Sequence, residues 1–146
     1  MKQQLDIYID GASKGNPGHA GIGVIICQDG NILENISRYI GQATNNIAEY
    51  TAFLYALQEA LMLQAERIRI NTDSELLYRQ IRREYKVKNP AIANLYMQAT
   101  RMLSAFKDAQ IRHIPRTENR GADKLATKAI KEALKSSSGP KHSKSA

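Results

Sequence analysis

Alternation of apolar and polar residues opens the chain. Leu5, Ile7 and Ile9 fall on one side and Asp6, Tyr8 and Asp10 on the other, the period of a strand with one face on a core. Gly11-Ala-Ser-Lys-Gly-Asn-Pro-Gly18 is broken by three glycines and a proline and reads as a loop. A second apolar strand covers residues 22–27. Asp29-Gly30 then signals a two-residue hairpin, because both central residues of a type I′ turn need positive φ. Ile32, Glu34, Ile36 and Arg38 alternate as a third strand, so the first three strands form an antiparallel meander. The period changes over residues 45–64, which hold no Gly or Pro and are apolar around most of a helical circumference. Thr44 or Asn45 can cap that helix. Residues 67–71 alternate again, 74–83 and 90–106 are helical, 110–114 form a short strand, and 119–134 a final helix. The order βββαβααβα predicts an α/β fold with a mixed sheet and helices packed on it.

Composition fits one domain. The 146 residues are 42% hydrophobic and 24% charged, enough for a single core of ordinary size. The domain is expected over residues 1–135. Residues 136–146 are Ser, Lys, Gly and Pro with little to bury and read as a disordered basic tail. A single cysteine, Cys27, allows neither an internal disulfide nor a cysteine-based zinc site. No apolar run reaches membrane length and no signal-peptide segment opens the chain, so the expectation is a cytoplasmic protein with no membrane contact. Nothing in the sequence demands an obligate protein partner, and a monomer is expected.

Charge changes the picture more. The formal net charge is +7, but residues 1–78 carry 5 basic and 9 acidic side chains while residues 79–146 carry 16 and 5. The second half calls for a polyanionic partner, and the acidic first half needs its own explanation. Asp10 lies near the end of the first strand, Glu49 one turn into the long helix, Asp73 at the end of the fourth strand, and Asp123 in the first turns of the last helix. Taken singly, each reads as a turn, cap or solvated helix residue. Brought together by a sheet with helices on it, four carboxylates would repel one another until a divalent cation neutralised them, and oxygen ligands without His or Cys select Mg²⁺ or Mn²⁺.

Four runs bring in a family. Ile9-Asp-Gly-Ala-Ser-Lys-Gly-Asn-Pro-Gly18, Thr44-Asn-Asn-Ile-Ala-Glu-Tyr50, Thr72-Asp-Ser-Glu75 and Glu118-Asn-Arg-Gly-Ala-Asp-Lys-Leu-Ala126 together closely resemble type 1 ribonuclease H, in order and spacing, over residues 1–134. The resemblance implies the ribonuclease H-like fold, a five-stranded mixed sheet with three antiparallel strands and two parallel ones, flanked by helices. It implies endonucleolytic cleavage of the RNA strand of an RNA–DNA hybrid. It matches Asp10, Glu49, Asp73 and Asp123 to the family's metal-binding, catalytic carboxylates, which would hold two Mg²⁺ (or Mn²⁺) ions in the substrate complex. It matches Asn16, Thr44, Asn45 and Asn46 to positions that contact the hybrid; turn and cap chemistry is the alternative reading of the asparagines.

Three features depart from the pattern of bacterial relatives. Glu75 stands where Gln often reads the minor groove, and a carboxylate cannot donate as an amide does. The basic protrusion is absent, since residues 85–90 are short, a pattern shared with an archaeal, plant and bacterial subgroup. His113 falls in the fifth strand rather than in a mobile loop, which leaves it and Arg116 as auxiliary candidates. Two alternatives follow: a nucleic-acid-binding module of the same fold with weak or no catalysis, or another nuclease of the superfamily such as a DNA resolvase. The asparagine-bearing runs count against the resolvase.

Overall fold

The computed structural model describes residues 4–138. Five strands, β1 (Gln4–Gly15), β2 (Gly18–Gln28), β3 (Asn31–Ala43), β4 (Arg67–Thr72) and β5 (Asp108–His113), form one sheet in the order β3-β2-β1-β4-β5. β1 pairs antiparallel with β2, and β2 with β3; β4 runs parallel to β1, and β5 to β4. The helices are α1 (Asn45–Met62), α2 (Glu75–Ile81), α3 (Pro90–Leu103) and α4 (Arg120–Ser138), with a short 3-10 turn at Arg116–Glu118.

The first three helices start where a short polar side chain can take up free backbone N–H groups. Thr44 Oγ1 accepts from Ile47 N at 3.2 Å, Ser74 Oγ from Leu77 N at 3.2 Å, and Asn89 Oδ1 from Ala91 N at 2.8 Å, with Pro90 in the first turn of α3. The hairpin at Asp29-Gly30 has φ of 52° and 81°, as the sequence predicts.

The core lies between the sheet and α1. Leu5, Ile7 and Ile9, their neighbours Ile22, Val24 and Ile26, and Ile68 and Ile70 are all buried with Tyr50, Phe53, Ala56 and Leu57 of α1. α3 packs on α1, and α4 packs on β2, β3 and β1. Two glycines let the helices close in. A Cβ at Gly11 would lie 2.3 Å from the carbonyl carbon of Ala48 in α1, and one at Gly23 would lie 2.0 Å from the carbonyl oxygen of Ala122 in α4. β1 and β2 are thus gripped by both helices next to Asp10, which pairs with Gly23.

The expected loop at 11–18 is instead strand. β1 continues to Gly15 and pairs residue by residue with β2 as far as Gly18, leaving only Asn16 and Pro17 as a turn. Gly11 is required for helix contact and interrupts nothing; Ala12, Ser13 and Lys14 carry the ladder on. β3 likewise extends five residues beyond its alternating segment, and α4 runs on to Ser138, past the boundary expected at residue 135. The remaining expected tail, 139–146, lies outside the described residues.

Gly23→Ala is expected to destabilise the fold by about 1–3 kcal/mol, because the added methyl has backbone rather than a movable side chain in its way. Urea denaturation of the variant against the parent chain measures this.

Candidate active site

The register of the two parallel strands builds the site. β4 ends at Thr72, opposite Ile9, so the next residue of each strand is an aspartate, Asp73 and Asp10. Glu49 arrives from α1, where the approach over Gly11 lets the Gly11 N–H donate to Glu49 Oε1 at 3.1 Å. Ligand oxygens of Asp10, Glu49 and Asp73 all lie within 4.8 Å of one another, the one such group of metal-ligating side chains among the described residues. Asp123 stands outside that triad, near enough to Asp10 to raise its pKa. The structure brings three of the four sequence-predicted acids together and sets Asp123 beside them.

Electrostatics sets the behaviour of this group. Asp10 is only 5% exposed. Burial, then the charge of Asp73 and the neighbouring Asp123 carboxyl, push its pKa up to about 8. Glu49 is also raised well above the ordinary carboxylate range, by burial and by the charges of Asp10 and Asp73, against the lowering effect of the Gly11 N–H. Arg116 lowers both, but no ion pair reaches the triad among the described residues. An oxygen-only set of one buried and two half-buried carboxylates fits a hard divalent ion and offers nothing to a thiophilic one.

Asn119, which lies in the fourth run but carries no predicted role there, organises the group. It is 1% exposed; its Nδ2 donates to Ile9 O at 2.8 Å and to Asp73 Oδ2 at 3.0 Å, while its backbone carbonyl accepts from Asp123 N at 3.1 Å. One residue ties β1, the Asp73 carboxylate and the start of α4 together. The available signal was a polar residue just ahead of an apolar helical period.

The other predicted residues lie in the β1–β2 turn, at the start of α1, at the end of β5 and in the 3-10 turn. Asn16 Oδ1 accepts from Asn45 N at 3.0 Å, and Asn45 Oδ1 accepts from Ser13 N at 3.0 Å, joining the β1–β2 turn to the start of α1. Thr44 caps α1, which settles the choice between Thr44 and Asn45, and Asn46 is exposed beside it. His113 ends β5 as the sequence implies. Its Nε2 lies 3.4 Å from the backbone carbonyl of Asp73, and its ring stacks on Tyr78 at 5.6 Å. Arg116 is exposed in the 3-10 turn. Glu75 pairs with Arg79 along α2, so its carboxylate is engaged within its own helix.

Comparison with known proteins agrees with this geometry. The pattern of the Reverse transcriptase-like family matches residues 8–129. Ribonuclease HI of Halobacterium salinarum is 39% identical over 131 residues, covering 89% of this chain and 66% of that protein. A bifunctional protein of Mycobacterium tuberculosis is 37% identical over 132 residues, covering 89% of this chain and 36% of its own length. The chain thus spans less than two thirds of either relative. The crystal structure of LC11-RNase H1, from compost, in complex with an RNA/DNA hybrid superposes with a TM-score of 0.85 at 39% identity, covering 89% of this chain and 99% of that one. No helix among the described residues is long and apolar enough to cross a membrane. With the sheet order, the clustered acids and these matches in agreement, the chain belongs to the type 1 ribonuclease H family.

Proposed function

We propose that this chain is a metal-dependent endoribonuclease that hydrolyses the RNA strand of RNA–DNA hybrids. The observation that carries the reading is the meeting of Asp10, Glu49 and Asp73, with Asp123 beside Asp10, in a chain of this family. The hybrid held by the LC11 relative supports the choice of substrate.

Asp10, Glu49, Asp73 and Asp123 are the catalytic and metal-holding residues in this reading. These four carboxylates would hold two Mg²⁺ or Mn²⁺ ions in the substrate complex, and the ions would supply Lewis acidity toward the attacking water and the leaving 3′ oxygen. The protein's part is to hold oxygens in place. Gly11 N–H engages Glu49 Oε1 and Asn119 Nδ2 engages Asp73 Oδ2, which fixes both carboxylates beside the centre. No covalent protein nucleophile is required.

Hybrid recognition falls to the turn and the α1 N-terminus. Asn16, Thr44, Asn45 and Asn46 present amides and a hydroxyl beside the carboxylates, the donors and acceptors that 2′-hydroxyls and sugar-phosphate oxygens need across a wide minor groove. With Asn45 Oδ1 already accepting from Ser13, its Nδ2 is the group that donates outward. Arg116 steadies phosphate charge near Asp10 and Glu49. His113, stacked on Tyr78, supports the strand end that carries Asp73.

Asp10→Asn is expected to lower hybrid cleavage by at least about 10³-fold while hybrid binding persists. A labelled-hybrid assay with and without Mg²⁺, beside single-stranded RNA and duplex DNA, checks this; full metal-dependent activity in the variant would sink the reading. Tight binding without cleavage by the parent chain would instead favour a binding module. Asn46→Ala is expected to raise KM about tenfold with little change in kcat, the signature of a hydrogen bond that holds substrate and transition state equally.

The raised carboxyls also predict a pH dependence. Without a cation, folded Asp10 keeps its proton to about pH 8, whereas the unfolded chain releases it near about pH 4. Between those values the folded state binds more protons, so stability falls as pH rises. Melting in EDTA is expected to drop between about pH 5 and pH 8, Mg²⁺ to restore the loss at the upper end, and Asp10→Asn to flatten the decline.

A further inference from the structure

α4 carries a second feature. It buries Ala122, Ala126 and Ile130 on its inner side. Its outer side exposes Lys124, Lys128, Lys131 and Lys135, spaced 4, 3 and 4 residues apart and therefore on one face. At 1.5 Å per residue the row is about 16 Å long, the axial length of about five base pairs. It begins one residue after Asp123 and shares a shallow groove with it, lined by Asp123, Lys124, Thr127, Lys128 and Lys131.

The row runs against local helix preference. Arg120 and Lys124, Lys124 and Lys128, and Lys131 and Lys135 are all like-charged pairs at i,i+4, an arrangement that weakens a helix. Arg120 also sits in the first turn, where the helix dipole disfavours a cation. Glu132, 4.0 Å from Lys128, brings an opposite charge to the middle of the row. Elsewhere the chain mixes its signs more evenly: Glu75 faces Arg79 on α2, and Glu84 meets Arg79 and Arg82. A solvated face gains nothing from concentrating one sign, whereas a regularly charged polyanion relieves the repulsion on contact. Departures from local preference of this kind mark functional surface.

We propose that the lysine row of α4 is a phosphate-binding track that extends the nucleic-acid footprint outward from Asp123. The inference rests on the hybrid-cleaving reading above, and the nucleic acid it binds is the stretch flanking the scissile phosphate. Longer hybrids then gain affinity from α4 that short ones cannot reach.

The triple variant Lys124→Gln, Lys128→Gln, Lys131→Gln, made in the Asp10→Asn background to block turnover, tests this with hybrids of about 24 and about 8 base pairs across a salt series. On the long hybrid, the slope of log association constant against log salt is expected to fall by about 2–3, or about 0.9 for each phosphate no longer neutralised. The short hybrid is expected to show less than half that change. The melting temperature should stay level or rise, because repulsion is removed. A charge-matched variant at the far end of the sheet, Arg67→Gln, Arg101→Gln, Lys107→Gln, should leave the long-hybrid slope in place. An unchanged slope in the α4 variant, or an equal fall in the charge-matched one, overturns the track and leaves the hydrolytic reading standing. Failure of the parent chain to cleave any hybrid overturns both.

Discussion

The site depends on one close approach, the passage of α1 over Gly11. Three acidic side chains that repel one another come within 4.8 Å only because backbone, and not flexible side chain, delivers them. Ala48 sits where a Cβ of Gly11 would be, so α1 lies on β1 itself, and the fifth residue of the helix meets a strand N–H. A methyl at this point would lift α1 and carry Glu49 away. The core under α1 supplies the opposing force. Burial of Tyr50, Phe53 and Leu57 with the isoleucines of β1, β2 and β4 holds the helix down, each large side chain worth about 1.5–3 kcal/mol. Apolar packing thus sustains a concentration of charge that would otherwise open the structure.

Recognition and chemistry share the same scaffold. The turn at Asn16 is fastened to α1 through Asn45 and Ser13, and α1 carries Glu49 one turn further on. A shift of the asparagines would therefore shift a carboxylate. Asn119 performs the corresponding task on the other side, where it spans β1, the Asp73 side chain and the start of α4. The groups that would sense a ribose and those that would hold the cations are coupled through a few hydrogen bonds of ordinary length.

Much of this is legible in the order of residues. Alternation locates β1, β3 and β4, an apolar run locates β2, the change of period locates α1, and Asp29-Gly30 locates the first hairpin, because these signals are local. The four acids are legible as well, since a carboxylate at the end of an apolar strand or inside an apolar helix stands out. The run at 11–18 misleads, because glycine has two uses that composition does not separate: a break in the ladder and room for a neighbour. Gly11 serves the second. Asn119 is hidden because its importance lies in contacts across 46 and 110 residues of sequence, to Asp73 and Ile9. The end of β3 is hidden for a related reason; pairing with β2 prolongs it beyond what its own pattern supports.

β1 occupies the middle of the sheet. β3 and β5 form the two margins, while β1 is hydrogen-bonded on both sides and packed on by α1 and α4. Native proteins open from margins and termini inward, so backbone amides near Ile7 and Ile9 belong to the slowest-exchanging class. The charged centre is therefore built on the segment that parts last, and excursions at the periphery of the sheet leave its geometry intact.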